Sequence, residues 1–258
     1  MTDDIAETVD WRGDPVDCGA CAHQAMLGIG RCELGRACVQ DRYARRIDRF
    51  FDWNPALANS HVDHPHFEVR AIAAKHADIF RLPRLLDDPE EAVRWNATRR
   101  LPMRYKLRMR TDPHREVRIR VASYLADADL VPMMDDPDYY VRMVVARRIA
   151  PELLGPMMDD PEVEVRRVVA GRVAKQFLGA MVHDEDASVR LCVAERLPCE
   201  ALSGLRNDPD WRLRYRVAEL TPDTDCLQLL ACDKDELVAE MAMVRLTELA
   251  GDRREMAS

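Results

Sequence analysis

The stretch CGACAHQAMLGIGRCELGRAC, residues 18 to 38, holds four cysteines, Cys18, Cys21, Cys32 and Cys38, at the spacing C-x2-C-x10-C-x5-C. A CxxC pair brings two sulfurs to one ion, and two further thiols from a flexible loop complete a tetrahedral set. Structural zinc and iron-sulfur clusters both use that arrangement. Spacing alone does not choose between them. Gly19, Gly28, Gly30 and Gly35 let the backbone wind tightly and turn N–H groups toward sulfur. A charged cluster gains more from such donors than a single ion needs. The remaining reading, four unmetallated cysteines, leaves a Gly-rich loop with little else to order it.

Whatever holds such a loop must come from the rest of the chain. Its 258 residues suffice to bury a core without disulfide staples. Apolar residues make up 47%, charged residues 33% and aromatics only 6%, so the core is built mainly of Ala, Val, Leu and Met. That balance suits helices with one buried stripe and a wide charged face. The opening MTDDIAETVDWRGD lacks a basic n-region and an apolar h-region, and no apolar run nears the roughly 18 residues of a membrane helix. The expectation is a cytoplasmic protein without a membrane segment, in which clustered thiols stay reduced. A net charge of -8 argues against a general nucleic-acid coat but leaves room for a local basic groove.

A repeat of 24 residues organises the chain. DDPEEAVRWNATRRL (87 to 101), DDPDYYVRMVVARRI (135 to 149), DDPEVEVRRVVAGRV (159 to 173) and HDEDASVRLCVAERL (183 to 197) fall in one register. Arginine recurs at 70, 94, 118, 142, 166, 190 and 214, and Val238 stands one period further on. The Asp-Pro pair reads as a helix start, with Asp136 or Asp160 as N-cap and Pro137 or Pro161 in the first helical position. Val141, Val145 and Ile149 then follow helical spacing. A second segment is marked by Leu130, Leu154, Leu178 and Leu202, then by Met133, Met157, Met181 and Leu205. Twenty-four residues cannot hold two average helices and their turns, so this segment is expected to be a 3-10 or single-turn helix. Units this small must stack to close a core.

Period, Asp-Pro start and Val-Arg pair together resemble the leucine-rich repeat variant family over residues 64 to about 250. The resemblance implies an all-α fold: a right-handed superhelical solenoid of 24-residue repeats alternating α-helix and short 3-10 helix, with a small N-terminal iron-sulfur domain. The corresponding division is 1-60 for the cluster domain, 61-250 for the solenoid and 251-258 for a tail. Some members carry an N-terminal four-cysteine domain, so the resemblance implies a 4Fe-4S cluster on Cys18, Cys21, Cys32 and Cys38, with zinc as the alternative. It also implies bacterial origin and a link with nitrogen-fixation chemistry. The segment DRYARRIDRFFDW (41 to 53) reads as a helix that packs the cluster domain onto the first repeat through Tyr43, Ile47, Phe50 and Phe51.

The arginine column admits a structural reading, a ladder of pairs between neighbouring units, and a recognition reading as a cationic stripe. Residues 94 to 120 support the second locally, with ten basic residues, two acidic ones, and Trp95 and Tyr105 interleaved. Arg94, Arg99, Arg100, Arg104, Lys106 and Arg108 are its candidate surface. His61, His64 and His66 cluster with Asp63, but His64 takes the place of Asp88 and Asp112 in later units, which marks a degenerate first-repeat cap. Cys192 and Cys226 follow core columns, whereas Cys199 and Cys232 fall in turns without partners. No nucleophile elbow, phosphate loop or HExxH motif occurs, and no catalytic residue is assigned. The function expected is a redox-capable or redox-sensing scaffold that recognises a macromolecular partner, protein or nucleic acid. A nucleic-acid-binding repeat protein with a structural cluster and an electron-transfer component are the alternatives.

Overall fold

A computed structural model describes residues 7–255, with the side chains of 252–255 outside that description. The expected 1-60 domain and 251-258 tail thus each extend partly beyond it. The chain divides into two compact units, Met1–Leu125 and Ala126–Ser258. Helices α1 (Gln24–Gly28), α2 (Ala44–Trp53), α3 (Phe67–His76), α4 (Glu91–Arg100), α5 (Met103–Arg108) and α6 (Arg115–Ala122) lie in the first. The second holds α7 (Asp127–Leu130), α8 (Tyr139–Arg148), α9 (Val163–Arg172), α10 (Ala187–Ala194), α11 (Trp211–Leu220), α12 (Thr224–Leu230) and α13 (Glu236–Glu255). Short 3-10 segments such as Ile79–Asp87, Lys175–Met181 and Cys199–Leu205 alternate with them. Among the described residues no strand forms, only isolated bridges such as Glu33 with Ala37.

Repeat helices begin at 67, 91, 115, 139, 163, 187 and 211, in the predicted register. Each buries one valine or leucine column: Val93, Val117, Val141, Val165, Val189 and Leu213 are at most 1% exposed. The 3-10 segments supply the facing layer, with Leu154 and Met157, Leu178 and Met181, and Leu202 and Leu205 buried three residues apart. Three residues per turn bring those pairs onto one side.

Helix starts differ from expectation. Asp136 and Asp160 do not cap, and Pro137 and Pro161 are not in the first turn, because α8 and α9 begin two residues beyond the proline. Asp138 is the cap of α8, its carboxylate accepting from Tyr140 and Val141 N–H. The Asp136 and Asp160 carboxylates instead accept from Asp138 N–H and Glu162 N–H, in turns that precede the helix. That geometry leaves oxygens of the Asp-Pro column open to another donor.

The last unit slips by one residue. Its inner segment is the α-helix α12, and the buried pair becomes Cys226 and Leu230, four apart, while Leu229 faces solvent. A turn of 3.6 residues in place of 3.0 absorbs the extra residue. Val238 therefore belongs to the valine column, fully buried, and Ala239 stands where the earlier units carry arginine. Helix α13 continues through residues 251–255, which were expected as tail.

Candidate metal centre and charged ladders

The cysteine loop has little core of its own and is tied down by polar contacts. Asp17 Oδ1 accepts from Gly19 N–H at 2.7 Å and holds the turn between the first two cysteines. Gly30 (φ +69°) and Gly35 (φ +75°) take left-handed turns, and a Cβ on Gly35 would meet Thr8 at 3.2 Å. Helix α2 then fastens the far end. Asn54 Nδ2 donates to Arg31 O at 2.7 Å, Arg49 donates to Arg36 O at 3.0 Å, and Cys38 N–H donates to Arg46 O at 3.2 Å. Beneath it, Arg46 meets the fully buried Asp41 carboxylate at 2.8 Å. Ile47, Phe50 and Phe51 are fully buried, as the spacing on that helix predicts.

Cys18, Cys21 and Cys32 are half-buried and Cys38 is buried. The four are electrostatically linked at Cys32. Burial pushes its thiol pKa up, as do the neighbouring Cys21 and Cys18, while a hydrogen bond with Cys38 and the Glu33 N–H oppose the rise. Cys38 is pushed up to about 11, chiefly by burial, against N–H groups of Gln40 and Asp41 directed at its sulfur. His23 N–H approaches Cys21 Sγ at 3.4 Å. Among the described residues no group of three or more His, Cys, Asp or Glu gathers as a single-ion cage. Buried thiols with raised pKa lose their protons readily only to a strong positive charge, and backbone donors then stabilise the thiolates. This donor set fits an iron-sulfur cluster.

Behind Cys21 stands a wall of rings. His23 Nε2 lies 3.1 Å from His61 Nε2, and its ring is 5.5 Å from Phe50. Phe51 meets His61 edge-on at 5.3 Å and stacks on His76, the last residue of α3, at 6.2 Å. His64 performs the Asp role its register implies: its Nδ1 accepts from His66 N–H at 3.0 Å and its carbonyl accepts from Arg70. Desolvation by burial lowers its pKa, which favours the neutral acceptor form.

The arginine column forms a ladder. Arg70 with Asp88, Arg94 with Asp112, Arg142 with Asp160, Arg166 with Asp184, Arg190 with Asp208 and Arg214 with Asp233 pair in bidentate fashion, every N···O distance between 2.7 and 3.1 Å. The carboxylate belongs to the next unit's Asp column. Each of these arginines also donates back to its own unit, as Arg142 does to Asp136 O at 2.8 Å. The Asp160 hydrogen bond, outweighing desolvation, raises the Arg142 pKa further and keeps it charged.

A second ladder has only a faint sequence signal. Arg100 donates to Ala74 O and Ala77 O, Arg172 to Ala146 O, and Arg196 to Ala170 O and Val173 O, at 2.5 to 2.9 Å. These carbonyls close the preceding repeat helix, where unpaired acceptors and the negative dipole end favour a cation. Its signal was the arginine before Leu101, Val173 and Leu197.

The candidate basic surface is thereby divided. Arg94 is buried in the first ladder and Arg100 is committed to the second, so neither is available at a surface. Lys106 donates to Leu101 O at 2.6 Å, and Arg108 pairs with Asp87. Arg99 and Arg104 are exposed.

Residues 8–60 match the family model described as LRV protein FeS4 cluster. A solved structure described as a leucine-rich repeat variant with a novel repetitive protein structural motif is similar at 38% identity and a TM-score of 0.83, over 90% of this chain and 99% of that one. A curated relative, the "Uncharacterized 27.7 kDa protein in nifB 3'region" of Rhodobacter capsulatus, is 53% identical over 96 residues. The matched part is 37% of this chain and 39% of that relative's length. No helix among the described residues is long and apolar enough to cross a membrane.

Proposed function

The chain belongs to the leucine-rich repeat variant family and is an iron-sulfur helical-repeat protein with a 4Fe-4S cofactor; from that premise we propose that it is a redox-responsive binding scaffold for a macromolecular partner. In this reading Cys18, Cys21, Cys32 and Cys38 ligate the cluster. When bound, such a cluster supplies one-electron chemistry at a potential set by sulfur hydrogen bonds and burial.

One observation carries the reading: the ring wall of His23, Phe50, Phe51, His61 and His76 runs without a gap from the Cys21 loop to the end of α3. A packed wall of this kind passes small displacements on rather than absorbing them. The location of the Rhodobacter relative beside nifB supports seeking the partner in that setting.

Anaerobically purified protein should be brown, with iron and acid-labile sulfide each at about four per chain. Colourless protein with one tightly bound zinc rejects the cluster assignment. The redox role has its own test, hydrogen exchange on oxidised and reduced protein. Protection across α2 and α3 should differ between the two states, and identical maps would reduce the cluster to a structural staple.

A further inference from the structure

Two columns of the repeat are broken within the compact unit Met1–Leu125, in successive repeats and at residues that touch. Where Leu82, Leu130, Leu154, Leu178 and Leu202 are fully buried, the register holds Lys106. Where Arg100, Arg148, Arg172 and Arg196 stand, it holds Tyr124. An arginine at 124 would, by the offsets of the second ladder, reach the carbonyls of Thr98 and Leu101. Lys106 takes that of Leu101 at 2.6 Å. The two departures compensate each other: a lysine in a leucine column finds its acceptor in the carbonyl that the missing arginine would have capped.

The compensation releases Tyr124 to the surface, 45% exposed. Its ring lies 5.4 Å from Lys106 Nζ and 5.7 Å from the Trp95 ring, tilted by 49°. The Arg120 guanidinium stands 5.5 Å from the Trp95 ring centroid. Arg99, four residues after Trp95 on α4, shares that helix face. Both arginines are exposed, and neither has an ion-pair partner among the described residues, in a chain of net charge -8 whose column arginines find carboxylates one after another. Paired departures that add no core contact point to a surface built for a ligand.

We propose that Trp95, Tyr124, Arg99 and Arg120 form a binding site for single-stranded nucleic acid. Two tilted rings stack unpaired bases, and two guanidinium groups without carboxylate partners among the described residues, one of them against the Trp95 ring, meet the phosphates. An acidic polypeptide would satisfy the cations but has no flat group for the rings. The proposal rests on reading the repeats as a binding scaffold, and it is independent of the cluster's redox role.

The test is fluorescence anisotropy of a labelled single-stranded oligonucleotide with the full-length, cluster-bearing protein under anaerobic conditions, at rising salt. The central variant, Lys106→Leu with Tyr124→Arg, restores both columns and leaves net charge unchanged. It should melt no lower than wild type yet bind about tenfold more weakly or worse, as should Trp95→Ala. Arg120→Gln should also lower the steepness of the salt dependence by about one phosphate contact. If the double variant misfolds, Trp95→Ala and Arg120→Gln decide alone.

Three results overturn the proposal: no binding by wild type at low salt, unchanged affinity in Trp95→Ala, or poly-glutamate bound as tightly with the same variant sensitivity. Redox-dependent exchange across α2 and α3 that persists beside any of these leaves the scaffold's redox reading intact and sinks the nucleic-acid site alone.

Discussion

Replacing Cys21 with serine should strip hydrogen-exchange protection from the cysteine loop and from α2, weaken it in α3, and leave α8 and α9 as protected as in wild type. The loop between Asp17 and Cys38 contributes to the core chiefly through Ala37 and Cys38, at 0% and 3% exposure. With the four cysteines as the proposed ligands, cofactor binding is expected to supply most of its folding free energy. Serine keeps the size of the side chain and removes the soft thiolate. Losses should travel along the ring wall, since His23 leans on Phe50 and His61, and Phe51 on His76. Beyond α3 the repeats supply their own neighbours, and damage fades with distance in such arrays. A uniform loss across all repeats would make the cluster the keystone of one cooperative fold. No loss at all would mean that the four thiols hold nothing of structural consequence.

Arg142→Met and Arg166→Met are each expected to destabilise the protein by about 3 to 5 kcal/mol, the cost of leaving one partner of a buried pair unmatched. Methionine replaces the stem but none of the donors. Asp160 would lose both hydrogen bonds from Arg142, and Asp136 O a third. In contrast, Arg212→Ala removes an ion pair to Asp210 whose guanidinium is exposed, and should shift the melting curve far less. Equal effects from the buried and exposed substitutions would refute the ladder.

The ladder also sets an acid limit. The Arg214 hydrogen bond depresses the Asp233 pKa, so that pair's contribution is complete above the ordinary carboxylate range and is lost as pH falls through the depressed value. Wild type should lose stability on acidification, and Arg214→Met should lose less over the same interval. A parallel acid dependence in the two proteins would count against the pair.

Much of this protein was legible because its repeat is short and regular. Periodicity placed one helix in each repeat, the buried valine column and the 3-10 layer, since apolar spacing reflects which face is buried, whereas the helix starts expected at 137 and 161 lie two residues later, at 139 and 163. Four thiols in a Gly-rich loop announced a metal centre, and the resemblance supplied the kind of cofactor that the family match then bore out. His64 as a stand-in for Asp was visible from register, and its imidazole accepts the hydrogen bond that Asp88 accepts in the next unit.

Tertiary structure alone decided what each polar group does. Asp136 and Asp160 carry the local signature of a cap, yet the Glu162 N–H two residues later and an arginine 18 residues upstream claim the Asp160 oxygens. Arg100 looked like surface charge, but its acceptors lie 23 and 26 residues back, at the end of the previous helix. The exchange between Lys106 and Tyr124 involves two departures 18 residues apart, each of which reads alone as an imperfect repeat. Apolar patterning is written within one helix because burial depends only on which face is turned inward. A hydrogen bond depends on a distance of about 3 Å and an angle between groups far apart in the chain, and only the stacked fold brings those into reach.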